Sequence, residues 1–374
     1  MKTTSDQYAE IDRDREEYGV KHSEQLGWAV MRHADVMQVL LDWQTFSSVV
    51  SNRLSVPAGM DPPAHTPFRK IIEPYFSPAR VAEFEPSCRQ LAHSLVKKML
   101  ERSEHAEIVG EFARPFAAHA QCDYLGWPNY MEEGLHRWGV RNRKAIREQN
   151  RETLVKSAEV FEYLIAEMLD DRRRERSGPD RDLTSRLMFE QVNDRQIKDE
   201  EIVSILRNWT AGEIGTIAAA VGIIAHFLAA HPDMQELLRS DFSKLPYAID
   251  EILRITAPLT TNRRVTTRAV NLGGHEIGAK ERITILWAGA NRDPRVFEDP
   301  VNFRWDRDTT KNLLYGAGIH VCPGAPLARM ELIVATEELL AQTKSLRFNP
   351  ERPPVPAEFP DGGFASVPLM TERA

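Results

Sequence analysis

Cysteine is scarce in this chain: Cys88, Cys122 and Cys322 are the only three in 374 residues, and they lie far apart. An odd number with no close pair excludes a disulfide framework, a zinc knuckle and a dithiol redox motif, and suits a reducing compartment. No block of like charge is present either. The net charge is −7 with both signs interspersed, which argues against a nucleic-acid partner and leaves no polybasic membrane anchor. The N-terminal stretch MKTTSDQYAEIDRD is polar and acidic and lacks the apolar core of a signal peptide. Long hydrophobic runs are missing as well: the most apolar stretch, Thr216 to Ala230, is short, Ala-rich and interrupted by His226, and reads as a buried helix. There are no internal repeats or low-complexity tracts. What is left is a soluble chain, 42% hydrophobic, long enough to bury a sizeable core as one large domain or two ordinary ones.

The most informative stretch runs from Leu313 to Leu332 and reads L-L-Y-G-A-G-I-H-V-C-P-G-A-P-L-A-R-M-E-L. Gly316 and Gly318 permit backbone conformations closed to residues with a Cβ. Pro323 stands where a first helical residue should be, and an amphipathic run follows. Cys322 is thereby placed at a helix N-terminus, where free amides and the macrodipole favour a thiolate, which is a nucleophile or a metal ligand. The plain alternative for a single cysteine is a buried, inert thiol.

Tyr315-Gly316-x-Gly318-x-His320-x-Cys322-Pro323-Gly324, closed by Leu327-Ala328-Arg329, resembles the haem-binding loop of the cytochrome P450 monooxygenases, with Tyr315 in place of the usual Phe. The resemblance implies a mainly α fold with a minor β portion, spanning residues 1–374 as one domain, and haem b bound through Cys322. It also sets the reading of weaker motifs. His65 and Arg69 are four apart on one helix face, an arrangement that in isolation is usually a solvated surface. Beside the haem loop they match the family's propionate-binding pair, as do Arg264 and His320. Glu251 and Arg254, three apart, match the family's structural E-x-x-R and read as a scaffold element, with a local pair worth only a few tenths of a kcal/mol if exposed. About fourteen residues separate Phe46 from Asp61, where the family usually carries a longer segment. This short connection is similar to that of bacterial members fused to their own reductase, although the chain ends soon after the haem loop and is read as having none attached.

Asp199 to Ala230 predicts a helix of roughly 48 Å, acidic at its start and apolar all round in its second half. Trp209, Gly212, Glu213, Thr216 and Ala220 share a face by helical spacing. An isolated small-residue and threonine pattern there suits close helix packing with the threonine bonded to its own backbone. The resemblance instead places Thr216 at the family's oxygen-activating alcohol position. The acid normally just before it is missing at Gly215, and Glu213, one turn earlier, is the candidate substitute. Pocket walls are expected from Trp209, Thr210, Ala211 and Gly212, from residues 258–261 including Leu259, and from Phe364.

Elsewhere, Leu26 to Met31 reads as a strand, Ala34 to Trp43 as a helix, residues 79–197 as helical throughout, and Gly273-Gly274 as a hairpin turn. The pocket residues carry no strongly placed charge. The resemblance therefore implies a cytoplasmic monooxygenase acting on a small, largely apolar substrate, aromatic or an aryl ether, by hydroxylation or O-dealkylation. Electrons would come from NAD(P)H through a separate ferredoxin or flavoprotein, with no nucleic acid and no membrane involved. Two readings of the same haem site stay open: a peroxide-driven peroxygenase, against which the retained Thr216 argues, and a haem-thiolate sensor without turnover. A third is a hydrolytic Cys322 with no haem.

Overall fold

The computed structural model describes residues 4–148 and 150–374. Helices dominate, and the longest, Asp199–Ala230, runs through the middle of the main hydrophobic core. Its first turn carries Asp199, Glu200 and Glu201 against the positive helix end, and Glu201 accepts the Lys198 amide at 2.9 Å while pairing with Arg195 at 2.6 Å. His231 and Pro232 stop it, since proline cannot donate to a preceding turn. This is the one helix among the described residues long and apolar enough to cross a membrane, and most of its apolar stretch is buried inside the protein. Around it pack Arg114–Leu125, Arg151–Arg174, Leu245–Ile255 and Ala325–Ala341, and Pro78–Arg102 packs in turn on the last of these. Tyr130–Arg147 crosses one side of it as a roof.

A five-stranded sheet flanks the helices in the order Val20–Ser23, Gly27–Val30, Arg282–Leu286, Thr261–Thr266 and Phe46–Ser47. The register sets Ile283 opposite Arg264 on one side and Trp28 on the other, which fixes where Arg264 emerges. The expected turn at Gly273-Gly274 forms with positive φ at both residues, joining strands Val270–Leu272 and His275–Ile277.

The expectation of unbroken helix over residues 79–197 is corrected. Strand His105–Glu107 pairs with the C-terminal strand Pro368–Arg373, and a small hairpin pairs Gln191–Val192 with Arg195–Gln196. Glu107 ends the first strand by turning its carboxylate onto the amides of Val109 and Gly110, which starts the next helical segment. The segment between Phe46 and Asp61 is irregular. It is pinned by Val56 N–H donating to Ser204 Oγ at 2.9 Å and by Asn208 Nδ2 donating to Val56 O at 3.0 Å.

Candidate active site

Cys322 sits between a turn and the helix Ala325–Ala341, its side chain exposed to a cleft beneath the central helix. Its N–H donates to Tyr315 O at 2.8 Å, so the loop closes on itself. Gly318 has φ of +71°, and a Cβ there would stand 2.5 Å from Leu40 O; only glycine permits this approach. Gly316 likewise has positive φ. The Sγ accepts the backbone N–H of Gly324 and of Ala325, which favours the thiolate as expected. Burial is nevertheless the largest influence and raises the thiol above its ordinary range, against the pull of those amides and Arg69. A bound metal ion would displace the proton.

Beside the loop, four cationic or donor side chains converge. The His65 and His320 rings meet edge to face at 4.6 Å, and the Nε2 of each is buried without a hydrogen-bond partner. Arg264 is buried with Nη1 on the carbonyl of Arg263 at 2.7 Å. Arg69 donates to Glu73 at 2.8 Å and to Val321 O at 2.7 Å. Burial first, then Arg264, pushes His320 down to about 4, and burial followed by Arg69 lowers His65. Buried donors left without acceptors cost on the order of 1–3 kcal/mol each. A ligand edge carrying carboxylates would satisfy them, and haem carries two. With the open thiol and the glycine-lined loop beside them, these residues fit haem.

Tyr315 lies under the Arg329 guanidinium, 4.3 Å from ring centroid to cation, and Arg329 pairs with Asp250 at 3.0 Å. Its hydroxyl is buried without a partner, which is what the extra oxygen at the usual Phe position amounts to. Glu251 and Arg254 depart from the weak surface pair expected: both are buried, with bidentate contacts at 2.7 and 2.9 Å. Arg307 adds a second cation on Glu251 at 2.6 Å. Arg254 also donates to Asn291 O at 2.6 Å, and Asn291 Oδ1 accepts the Leu313 N–H at 2.8 Å, so the pair is wired to the start of the cysteine loop.

On the central helix the expected common face divides. Thr210 bonds back to Leu206 O at 2.8 Å and accepts Gln121 at 3.2 Å, so it is a core alcohol and not a pocket wall. Trp209 packs on Phe76 at 5.0 Å and Tyr75 at 5.5 Å, on the side where Phe76 approaches Gly324. Ala211 and Gly212 are exposed, and a Cβ on Gly212 would meet nothing within 4 Å. Thr216, unlike Thr210, has no hydrogen-bond partner among the described residues, so its hydroxyl is not spent on its own backbone.

Glu213 turns inward rather than to solvent. Its carboxyl meets that of Glu331 from the helix after Cys322, and apart from each other Glu213 Oε1 and both Glu331 oxygens have no partner. Burial raises both, and the Glu213 charge raises Glu331 further, so the pair favours the protonated form. Glu331 is not among the residues expected from sequence, although its spacing from Leu327 and Val334 puts it on the buried stripe of its helix. Because the folded state binds this proton more tightly than the unfolded chain does, stability falls as pH rises past the ordinary carboxylate range. Glu331→Gln should therefore raise the melting temperature at pH 7–8, an advantage that fades below about pH 4.5 where the unfolded carboxyl is also protonated. Thermal melts across pH check this.

Phe364, expected to reach into the pocket, stacks on His226 at 4.2 Å and lies near Phe348, more than two turns along the central helix from Thr216. The neighbouring residues take its place: Asp361 bridges to Leu259, which is exposed to the cleft, and Asp361 pairs with Arg147 of the roof helix at 2.8 Å. The absence of charge expected for the pocket is also corrected, because Arg143 of the roof helix points its Nη1 to within 3.8 Å of where a Cβ on Gly215 would stand.

A family model described as Cytochrome P450 matches residues 140–370. Among curated proteins, erythromycin C-12 hydroxylase of Saccharopolyspora erythraea is 32% identical over 84% of this chain and 81% of its own length. Nocardicin C N-oxygenase of Nocardia uniformis subsp. tsuyamanensis is also 32% identical, over 91% and 88%. Among solved structures, cytochrome P450 CYP109Q5 from Chondromyces apiculatus superposes with a TM-score of 0.88 at 28% identity, covering 98% of this chain and 96% of that one.

Proposed function

Because this chain belongs to the cytochrome P450 family and is a haem-thiolate monooxygenase, we propose that it inserts one oxygen atom of O2 into a C–H bond of a small, largely apolar molecule, aromatic or an aryl ether. Hydroxylation and O-dealkylation begin with the same C–H abstraction, and both belong to the reading. The observation that carries it is the convergence of orphaned donors beside an open thiol.

Haem held by a thiolate supplies the oxidising power. Cys322 would ligate it, Tyr315 and Gly316 would shape the loop under it, and His65, Arg69, Arg264 and His320 would take its carboxylates by charge-assisted hydrogen bonds. Ala211, Gly212 and Leu259 would seat the substrate's apolar body. Glu331 stores a proton, Glu213 receives it, and rotation of Glu213 about its own bonds would carry it toward the free hydroxyl of Thr216, one turn along the same helix. Glu251 and Arg254 act as scaffold for the cysteine loop.

The reading includes electrons from NAD(P)H through a separate ferredoxin or flavoprotein, one domain spanning residues 1–374, a cytoplasmic setting, and neither nucleic acid nor membrane as partner. The relatives above support membership of the bacterial family; they lend no support to the narrower likeness to reductase-fused members suggested by the short segment between Phe46 and Asp61.

Thr216→Ala tests the proton assignment. With redox partners supplied, it should still consume reduced nicotinamide while product formed per nicotinamide falls about tenfold and peroxide appears. An unchanged product yield would remove Thr216 from the mechanism. Wild-type turnover with hydrogen peroxide alone, at the rate seen with nicotinamide and partners, would turn the reading to a peroxygenase, and binding without any oxidation would turn it to a sensor.

A further inference from the structure

The roof helix Tyr130–Arg147 is amphipathic, with Met131, Leu135 and Gly139 buried at four-residue intervals. Ala145 continues the buried face, and Arg143, four residues past Gly139, stands at its edge. Gly139 makes room for it: a Cβ there would stand 3.4 Å from Arg143 Nη1. At its far end the same nitrogen lies 3.8 Å from the Cβ position of Gly215, the residue beside Thr216. Arg143 is half-buried, yet it has no hydrogen bond or ion pair among the described residues. Its surroundings do not balance it. The charged groups acting on it are Asp361, Arg114 and Arg147, and Asp361 is already engaged by Arg147 at 2.8 Å. His136 also faces Arg114 and Arg143, and Glu358 sits 3.5 Å from Arg147 at the exposed edge.

We propose that Arg143 is the anchor for a carboxylate on the substrate, so that the enzyme takes a small apolar monoanion. This rests on the monooxygenase reading and narrows its substrate class. A guanidinium withdrawn from water and left unpaired is costly, and a planar carboxylate meets its fork with two parallel hydrogen bonds. Asp361 cancels the charge of Arg147 and would repel a second negative charge, which favours a monoanion over a phosphate dianion. The carboxylates of haem would have other partners, since His65, Arg69, Arg264 and His320 form a separate cluster on which Arg143 does not act. With the anion held at Arg143 beside Gly215, the apolar body lies on Ala211, Gly212 and Leu259.

The test is an absorbance and calorimetric titration of the haem-loaded enzyme with matched sets: alkylbenzoates and phenylacetates, the corresponding amides, and the alkylbenzenes without the polar group. Carboxylates should bind about 100-fold more tightly than their amides. Arg143→Gln should abolish that preference while leaving the amides unchanged, and Arg143→Lys should restore part of it. Equal binding of acids and amides by the wild type, no binding of acids, or an unaltered preference in Arg143→Gln would overturn the proposal. A protein that takes up no haem would instead overturn the monooxygenase reading, so the two failures are distinct.

Discussion

Cys322→Ser should lower substrate turnover by about 10³-fold or more, with the protein still folded. The side chain lies open to the cleft, so replacing sulfur by oxygen removes no packing from the core. What it removes is the soft, polarisable ligand that pushes electron density onto haem iron and favours O–O cleavage. The hydroxyl can still accept the amides of Gly324 and Ala325, so the loop should keep its shape. Melting temperature, haem content and product formation should be measured together. Full activity in this variant would defeat the haem-thiolate account, including its peroxygenase and sensor versions.

Arg254→Met should be the most destabilising single substitution away from the cysteine, by about 3–5 kcal/mol. It leaves Glu251 buried with Arg307 as its remaining cation, and it strips the donors from the carbonyls of Asn291 and Pro300. Because Asn291 also holds the Leu313 amide, the loosened segment is the one that feeds the haem loop. Denaturant unfolding should show the loss, with reduced haem retention. The double change Glu251→Leu with Arg254→Met should cost at least as much as the single one, since Arg307 then loses the buried carboxylate it holds at 2.6 Å. A loss under about 1 kcal/mol for the single change would restore the view of Glu251 and Arg254 as an ordinary surface pair.

The two substitutions mark what could be read from residue order alone. The cysteine loop was legible because glycine, proline and cysteine each impose a local backbone or chemical requirement at a fixed spacing. The central helix was legible to its end residues because its acidic start and the His231-Pro232 stop are local signals. Tertiary facts were not. Spacing put Glu251 and Arg254 on one helix face, but their burial depends on residues 291–307 folding over them. Glu213 could be placed one turn from Thr216, whereas its meeting with Glu331 requires the packing of two helices far apart in sequence. Phe364 looked like a pocket residue from its place in a Gly-rich turn, and the stacking offered by His226 drew it away. Arg143 was not legible because it stands in a run of basic residues, and only its tertiary approach to Gly215 distinguishes it from its solvated neighbours.

The central claim is that Cys322 carries haem as a thiolate, and the absorption spectrum of the reduced, carbon-monoxide-bound wild-type protein tests it most directly. The account predicts a strongly red-shifted Soret band in the wild type, lost or moved to the position of a neutral ligand in Cys322→Ser. A wild-type protein that binds stoichiometric haem yet shows only the unshifted band would contradict it.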